Sequence, residues 1–263
     1  MSRRTRPPVL VVAAATVAVG FLVLPIAGLI SRAPWADVWG DLTGPGARTA
    51  LRLSLVTSLS ATVVAAGLGL PLAWVLARAE FRGRRVVRAL ALVPLVLPPV
   101  VGGVALLAAF GRRGLLGQVL DAWFSVRLPF TTAGAALAGA FVALPFVVLS
   151  AEAAFRGADR RYEEAARTLG ASRSTVFLRV TLPLAGPALA AGAVLAWARA
   201  LGEFGATITF AGSAPGRTTT VPIEVYLLLQ SGRLESAIAL SLVLLGVSVA
   251  VLVVLRDRWL GAW

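Results

Sequence analysis

A polar stretch lies between two strongly apolar segments of this chain: Tyr162-Glu-Glu-Ala-Ala-Arg-Thr-Leu-Gly-Ala-Ser-Arg-Ser-Thr-Val-Phe-Leu-Arg-Val-Thr-Leu-Pro183. One face of its first predicted helix is small or apolar and carries Ala165, Ala166 and Leu169. Gly170 is expected to end that helix, because glycine readily adopts the left-handed conformation that closes many helices. A second helix is predicted from Ser172, and Pro183 marks where the chain is expected to turn toward the next apolar run. Two short polar helices joined at a glycine indicate a docking surface.

The composition excludes a soluble globular domain. Of the 263 residues, 58% are hydrophobic and 14% are charged, whereas ordinary soluble domains are about 45–50% apolar and about 25% charged. The net charge is +13 and every basic residue is arginine. These arginines sit at the ends of apolar runs, which favours membrane topology over nucleic-acid binding. Because the chain has no Cys and no His, disulfides, thiolate or imidazole catalysis and His/Cys metal sites are excluded.

The apolar runs predict one all-α integral membrane domain, residues 1–263, with about six transmembrane helices. The expected spans are residues 9–30, 49–77, 89–110, 131–154, 184–209 and 234–255. A hydrocarbon core needs about 20 apolar residues per helix. The first run is longer than a signal-peptide core, so we interpret it as an uncleaved span. The third is rich in proline and glycine and is expected to be broken, which a bilayer tolerates only against protein or a wet cavity.

The arginines predict which side each segment occupies. Six spans place both termini on one side, and that side, with residues 155–183, holds 16 arginines against 8 on the other. Arg3, Arg4 and Arg6 at the N-terminus belong to the richer side. The positive-inside rule therefore predicts that both termini and the polar stretch are cytoplasmic.

The polar stretch resembles the EAA loop of ABC importer permeases. Glu164-Ala-Ala, three residues, Gly170, nine residues and then Val180-Thr-Leu-Pro183 keep that spacing, with Val180 at a position that is usually Ile. An ordinary charged loop is the alternative, which a lone Glu-Ala-Ala would favour. The resemblance implies a type I importer fold in which this loop is a coupling helix seated in a separate ATP-binding subunit. It assigns that role to Glu163, Glu164, Ala165, Ala166, Gly170, Arg173, Leu182 and Pro183. We refer to residues 155–183 as the EAA segment.

Four further stretches resemble molybdate importer permeases. They are Leu92-Val-Pro-Leu-Val-Leu-Pro-Pro-Val-Val-Gly102, Phe110-Gly-Arg-Arg-Gly-Leu-Leu-Gly117, Arg199-Ala-Leu-Gly-Glu-Phe-Gly-Ala-Thr207 and Phe210-Ala-Gly-Ser-Ala-Pro-Gly-Arg-Thr-Thr-Thr-Val-Pro222. The resemblance implies import of molybdate or tungstate. Sulfate/thiosulfate permeases share the last two patterns and are the alternative. An ion-coupled secondary transporter is a more distant one, because it has no use for an EAA loop.

Residues 199–207 form the second candidate site, a pathway or gate made of Arg199, Gly202, Glu203, Gly205 and Thr207. Arg199 and Glu203 are four residues apart and share one helix face. They either lock neighbouring helices together or add positive potential along an anion pathway. The glycines either line a gate or only permit close helix packing. The polar stretch 212–222 is interpreted as a solvated or partner-contacting loop rather than a binding site.

No catalytic or metal residues are predicted. The chain has no lysine and hence no Gly-x-x-x-x-Gly-Lys phosphate loop, so ATP and Mg²⁺ are expected in a partner ATPase and no cofactor in this chain. Glu163 and Glu164 are expected on an exposed loop, where general acid/base catalysis has no support. The partners implied by the resemblance are a second copy of the chain, an ABC ATP-binding subunit dimer and an extracytoplasmic oxyanion-binding protein. Contact with membrane lipid is also expected, and binding of nucleic acid is not. The expected location is the bacterial inner membrane.

Overall fold

The computed structural model describes the backbone of residues 8–260 and the side chains of residues 8–253. The helices in this part of the chain are α1 (Val9–Ser31), α2 (Val38–Thr43), α3 (Pro45–Arg78), α4 (Arg84–Val96), α5 (Pro99–Phe110), α6 (Gly117–Phe124), α7 (Thr132–Gly157), α8 (Arg160–Thr168), α9 (Arg173–Val176), α10 (Leu182–Leu201), α11 (Gly205–Phe210), α12 (Val221–Gln230) and α13 (Leu234–Leu260). A π-helical turn, Phe177–Thr181, joins α9 to α10.

In the described part of the chain, five helices are long and apolar enough to cross a membrane. They are α1, α3, α7, the continuous helix Arg173–Leu201 and the described part of the last helix, Leu234–Val253. α4 and α5 together form a further apolar element that is bent by 120° at the break between them. Over residues 8–260 the protein is therefore all-helical, with five candidate membrane spans, or six if the bent pair counts as one.

The bent pair lies where the sequence predicts a broken span. Leu97 leaves the helical conformation, with φ −67° and ψ 130°. Pro98 follows it and Pro99 begins α5. Neither proline has a backbone N–H to donate, and a proline disfavours the α conformation of the residue before it. The two consecutive prolines therefore end α4 and start a new helix in another direction.

The fifth apolar segment differs from the expected single helix over residues 184–209. Its helix begins earlier, at Arg173, and ends at Leu201. Gly202 follows the last turn, and a short helix, α11, starts at Gly205. The break is stabilised by Glu203, whose Oε1 accepts a hydrogen bond from the N–H of Ala206 at 2.8 Å. This contact satisfies one of the N–H groups that have no partner within the first turn of a helix.

Small residues form the contact between the central helices. α3 packs along α7, and α10 lies against both. One buried cluster at this junction contains Ala61, Ala65, Ala140, Ala143, Ala196 and Ala200, with Val147. Lipid chains are as apolar as large side chains, so helices in a membrane gain mainly from close packing, which small residues permit. The Nε1 of Trp197 also donates to the Ser58 hydroxyl at 3.0 Å, linking α10 to α3.

α1 lies at the edge of the bundle and has no buried residue. Trp35 and Trp39, which follow it, are 64% and 78% exposed. An apolar helix that is exposed all round suits contact with lipid or with another protein. Arg3, Arg4 and Arg6, on which the predicted side of the N-terminus depends, lie outside the described residues.

We expect Gly192→Ala to destabilise the protein. A Cβ atom at Gly192 would overlap with Cβ of Ser150, on α7, so the two helices would have to separate. Overpacking of this kind costs about 1–3 kcal/mol. The measurement is the midpoint of thermal unfolding of the purified protein in detergent.

Gly186→Ala is the matched control, because Gly186 lies on the same helix, α10, and has no neighbouring atom within 4 Å of the added Cβ. Its alanine variant should be unchanged or slightly more stable, since glycine inside a helix costs roughly 0.5–1 kcal/mol relative to alanine. Equal midpoints for the two variants would contradict the packing explanation.

Candidate functional site

The first helix of the EAA segment, α8, is capped at both ends. Asp159 accepts a hydrogen bond from a backbone N–H of the first turn at 2.9 Å, as N-cap residues do. At the other end Gly170 has φ +84°. Its N–H donates to the carbonyl of Arg167, and the N–H of Ala171 donates to that of Ala166, both at 3.0 Å. This pair of bonds is the Schellman motif, so α8 ends at the glycine where the sequence predicts its end.

The second helix of the EAA segment continues without a turn into the next span. Ser172 caps α9 by accepting a hydrogen bond from the N–H of Thr175 at 3.2 Å. The helix then runs from Arg173, which is exposed, through the π-helical turn to Leu182, which is half-buried. The prediction that the chain turns at Pro183 is wrong. Pro183 lies inside the continuous helix, two residues after the π-helical turn ends at Thr181, and prolines are tolerated where such a bulge interrupts the regular hydrogen bonding of a helix.

Glu163 is the centre of the polar contacts that hold the EAA segment on the bundle. Its side chain is only 8% exposed, and its Oε1 lies 2.7 Å from Nη2 of Arg78 at the end of α3. The hydroxyl of Thr181, in the π-helical turn, donates to the same oxygen at 3.0 Å. Its Oε2 lies 3.9 Å from Nη2 of Arg167, one turn along α8. One carboxylate therefore joins α8 to α3 and to the beginning of α10.

The expectation that Glu163 and Glu164 are both exposed is wrong for Glu163. Consecutive residues on a helix point about 100° apart, so Glu163 faces the bundle while Glu164 faces outward. The outward face combines charged side chains with two large and mainly apolar ones. Tyr162 is 60% exposed and Leu169 is 88% exposed. The two alanines of the motif are Ala165, which is exposed, and Ala166, which is half-buried.

Sequence analysis missed a second buried carboxylate, Glu152 on α7. Arg88 Nε, on α4, lies 3.1 Å from both of its oxygens. Arg156 Nη2 lies 2.6 Å from Oε1, one turn further along α7. An acidic residue inside an apolar run implies a partner. The signal was therefore present in the sequence, but the partner on another helix was not identifiable. The contact ties α4 to α7 at the end of the bundle that carries α8.

In the second candidate site, Arg199 and Glu203 form the predicted ion pair. Nη1 of Arg199 lies 2.6 Å from Oε2 of Glu203. The Glu203 side chain is 2% exposed and also caps α11, whereas the Arg199 side chain is 31% exposed. The pair thus has a structural role at the break between α10 and α11. The guanidinium still reaches the surface of the single chain.

The other predicted pathway residues are divided between surface and core. Gly202 is exposed. Gly205 is buried, and a Cβ there would lie 2.7 Å from Cβ of Pro99, so it allows α11 to contact the start of α5. Thr207 is buried as well, with 3% exposed. In the single chain, Gly205 and Thr207 therefore serve helix packing and do not line an open surface.

The stretch 212–222 is only partly solvated: residues 215–217 are exposed, in line with the interpretation from sequence, whereas its threonines are buried. Thr218, Thr219 and Thr220 are 0%, 8% and 5% exposed. The Thr218 hydroxyl donates to the carbonyl of Gly212 at 3.1 Å and accepts from the N–H of Ala214 at 2.8 Å. These hydrogen bonds close a compact turn. The Thr219 hydroxyl donates to the carbonyl of Ala214 at 3.2 Å, so Thr218 and Thr219 both have the partners that buried hydroxyls need. The Thr220 hydroxyl has no partner among the described residues.

The chain is similar in sequence to known transport permeases. Residues 69–262 match the family model described as binding-protein-dependent transport system inner membrane component. The chain is 51% identical over 235 residues to the molybdenum transport system permease protein ModB of Mycobacterium tuberculosis, covering 89% of this chain and 88% of that protein. It is 37% identical over 234 residues to the sulfate transport system permease protein CysT of Salmonella typhimurium, covering 88% and 84%.

A solved structure shares the fold. A chain of the bacterial alginate ABC transporter, crystallised with an alginate pentasaccharide-bound periplasmic protein, superposes with a TM-score of 0.76. The alignment covers 94% of this chain and 92% of that one at 18% sequence identity. At that identity the similarity concerns the arrangement of helices.

We expect Glu163→Gln to loosen the EAA segment. The amide would leave Arg78, whose side chain is 9% exposed, without its counter-charge, and breaking a buried pair in this way costs about 3–5 kcal/mol. Hydrogen exchange measured by mass spectrometry should rise in residues 160–181. Glu164→Gln removes the neighbouring exposed carboxylate and should leave exchange within error of the native protein. Similar exchange in the two variants would show that the Arg78 contact does not hold the segment.

Proposed function

The chain belongs to the binding-protein-dependent transport system inner membrane component family, and we propose that it is the permease subunit of an ATP-driven importer of molybdate. The observation that carries the substrate is the 51% identity to a permease named for molybdenum transport, over 89% of this chain. The permease named for sulfate transport reaches 37% over a similar share. As a member of this family, the chain is an inner-membrane, multi-pass permease component and not the ATPase.

The alternatives from sequence rank behind this proposal. A sulfate/thiosulfate permease is supported by the lower of the two identities and remains the second candidate. Tungstate resembles molybdate in charge and shape and is a further candidate cargo of the same machine. An ion-coupled secondary transporter has no support, because family membership places the chain in binding-protein-dependent transport.

The EAA segment is the proposed contact with the ATPase. Its outward face offers the exposed Leu169 and Tyr162, with small side chains between charges. Its inward face is held by Glu163, which joins α8 to two spans, α3 and α10. A helix that is exposed on one side and fixed on the other can receive a movement and pass it to the bundle as a rigid body. ATP and Mg²⁺ would be bound by that partner.

The orientation proposed for the chain follows from the same contact. The end of the bundle that carries α8 would be cytoplasmic, together with both termini, because this side has the arginine excess. An extracytoplasmic oxyanion-binding protein would then deliver its cargo to the opposite end, where α10 breaks into α11. Arg199 lies at that break with its guanidinium 31% exposed. Positive charge there suits an anion, since arginine pairs well with oxyanions.

We propose that the pathway forms between two copies of the chain. A single copy leaves large apolar side chains exposed on α5, among them Val100, Val101 and Val104, at 54%, 48% and 53%. Closed twofold symmetry is the commonest arrangement of homo-oligomers. A twofold axis near α5 would place two copies of the α5–α11 contact around one pore.

Leu169→Asp should abolish binding of the ATPase subunit. It places a charge at the most exposed apolar position of the EAA segment, and burying an unpaired charge in an interface is strongly unfavourable. The measurement is co-purification of the ATPase with a tagged permease. Leu115→Asp is the matched control, because Leu115 is 85% exposed and lies outside the EAA segment, between α5 and α6. Loss of the ATPase from both variants, or from neither, would contradict the assignment.

The cargo is tested with the whole importer. The permease, its ATPase and its binding protein are reconstituted in nanodiscs, and ATP hydrolysis is measured with the binding protein loaded with molybdate, tungstate or sulfate. We expect molybdate to stimulate hydrolysis, since the substrate class is set by the loaded binding protein that the permease accepts. Stimulation by sulfate alone would replace the molybdate proposal by the sulfate one.

A further inference from the structure

A basic cleft lies between the EAA segment and the end of α3. It has a volume of about 310 Å³, and a water molecule occupies about 30 Å³ of liquid, so a small ion with several waters fits. Its lining residues are Trp74, Arg78, Ala79, Arg160, Glu163, Glu164, Arg167 and Arg173. Four arginines face two glutamates. The cleft therefore carries an excess of positive charge.

Contacts within residues 8–253 do not neutralise this excess of positive charge. Glu163 pairs with Arg78 at 2.7 Å and lies 3.9 Å from Arg167. Arg160 and Arg173 have no carboxylate within 4.0 Å among residues 8–253. These two guanidinium groups come from opposite sides of the Gly170 joint, one from α8 and one from α9. They are available to a ligand from outside the chain.

Two further donors in the same wall lack partners. Nε1 of Trp74 and Nε of Arg78 are buried and have no hydrogen-bond partner within the described side chains. The Arg78 side chain is 9% exposed. The Trp74 ring is held edge-on against Phe177, with ring centroids 5.6 Å apart. Buried N–H groups are nearly always hydrogen-bonded in proteins, so donors left free beside a basic cleft indicate a missing acceptor.

We propose that this cleft binds a doubly charged tetrahedral oxyanion, as a free anion or as the phosphate of a lipid head group. Arginine forks match the geometry of such oxyanions. The bound anion would contact Arg160 on α8 and Arg173 on α9 and would lie against the wall formed by Trp74 and Arg78 on α3. It would thereby restrain both helices of the EAA segment against one span. An effect of this restraint on coupling to the ATPase rests on the proposed function, whereas binding of the anion to the cleft does not.

The test is binding of [³²P]orthophosphate to the purified full-length permease in phosphatidylcholine nanodiscs, without ATPase or binding protein. We expect saturable binding that is weakened about a hundredfold in Arg160→Gln/Arg173→Gln, since each of the two charge-assisted contacts contributes about a factor of ten. Trp74→Phe keeps the ring but removes one N–H donor, and it should weaken binding by a smaller factor.

The matched control is Arg112→Gln/Arg113→Gln, which removes the same charge from an exposed pair in the α5–α6 connection and should bind phosphate as the native chain does. Absence of saturable binding to the native permease would overturn the proposal. So would equal affinities of the two double variants when both elute as the native protein in size-exclusion chromatography.

A second arm identifies the source of the anion. The same measurement is made in nanodiscs that also contain phosphatidic acid. A fall in phosphate binding to the native chain, absent from Arg160→Gln/Arg173→Gln, assigns the cleft to a lipid head group. Unchanged binding assigns it to a free anion. These binding measurements do not contain the ATPase. If the EAA segment did not couple to the ATPase in the whole importer, the measured phosphate or lipid binding would still hold.

Discussion

The contact between Glu163 and Arg78 is the constraint on which the arrangement of the EAA segment depends. The two residues are 85 positions apart in the chain, and both side chains are more than nine-tenths buried. A charge removed from water must be paired and hydrogen-bonded. Glu163 meets this requirement only while α8, α3 and the π-helical turn are held together. The geometry of the segment is thus fixed by electrostatics, because its outward face makes few apolar contacts of its own.

A second buried carboxylate at the α8 end of the bundle is also paired with arginines. Glu152 is satisfied by Arg88 on α4 and Arg156 on α7. The two buried carboxylates lie on different helices, Glu163 on α8 and Glu152 on α7. At the other end the pair Arg199–Glu203 lies within a single stretch of chain. Cross-helix ion pairs therefore stiffen the α8 end, while the chain breaks at residues 97–98 and 202–204 lie elsewhere in the molecule.

Much of this fold was predictable from hydrophobicity and from proline and glycine. The apolar runs predicted the long helices, Pro98 and Pro99 predicted the broken one, and Gly170 predicted the end of α8. The break after Leu201 was not foreseen. The segment around it is apolar enough to pass for one span, and the glutamate that caps α11 reads in sequence only as a partner for Arg199.

The burial of the Glu163 side chain against the bundle was also not predictable from the sequence. Two consecutive glutamates look alike in a sequence, and which one faces the bundle depends on where Arg78 and Thr181 lie in space. Pro183 was misjudged for a related reason. Proline disfavours a continuing helix, yet the π-helical turn before it shifts the hydrogen-bond register. Rules based on neighbouring residues predicted the helix ends that proline and glycine cause. They did not predict which glutamate is buried, because its partners are far away in the sequence.

The continuous helix Arg173–Leu201 connects the EAA segment rigidly with the opposite end of the bundle. It begins in the EAA segment, is joined to α8 and α3 through Thr181 and Glu163, and packs against α7 through small residues. Its far end carries Arg199, at the break before α11. A displacement of α8 therefore need not pass through a flexible connection to reach the opposite end of the bundle. Because closely packed helices transmit strain with little compression, a movement of α8 is expected to reach Arg199, the residue that we propose to meet the anion.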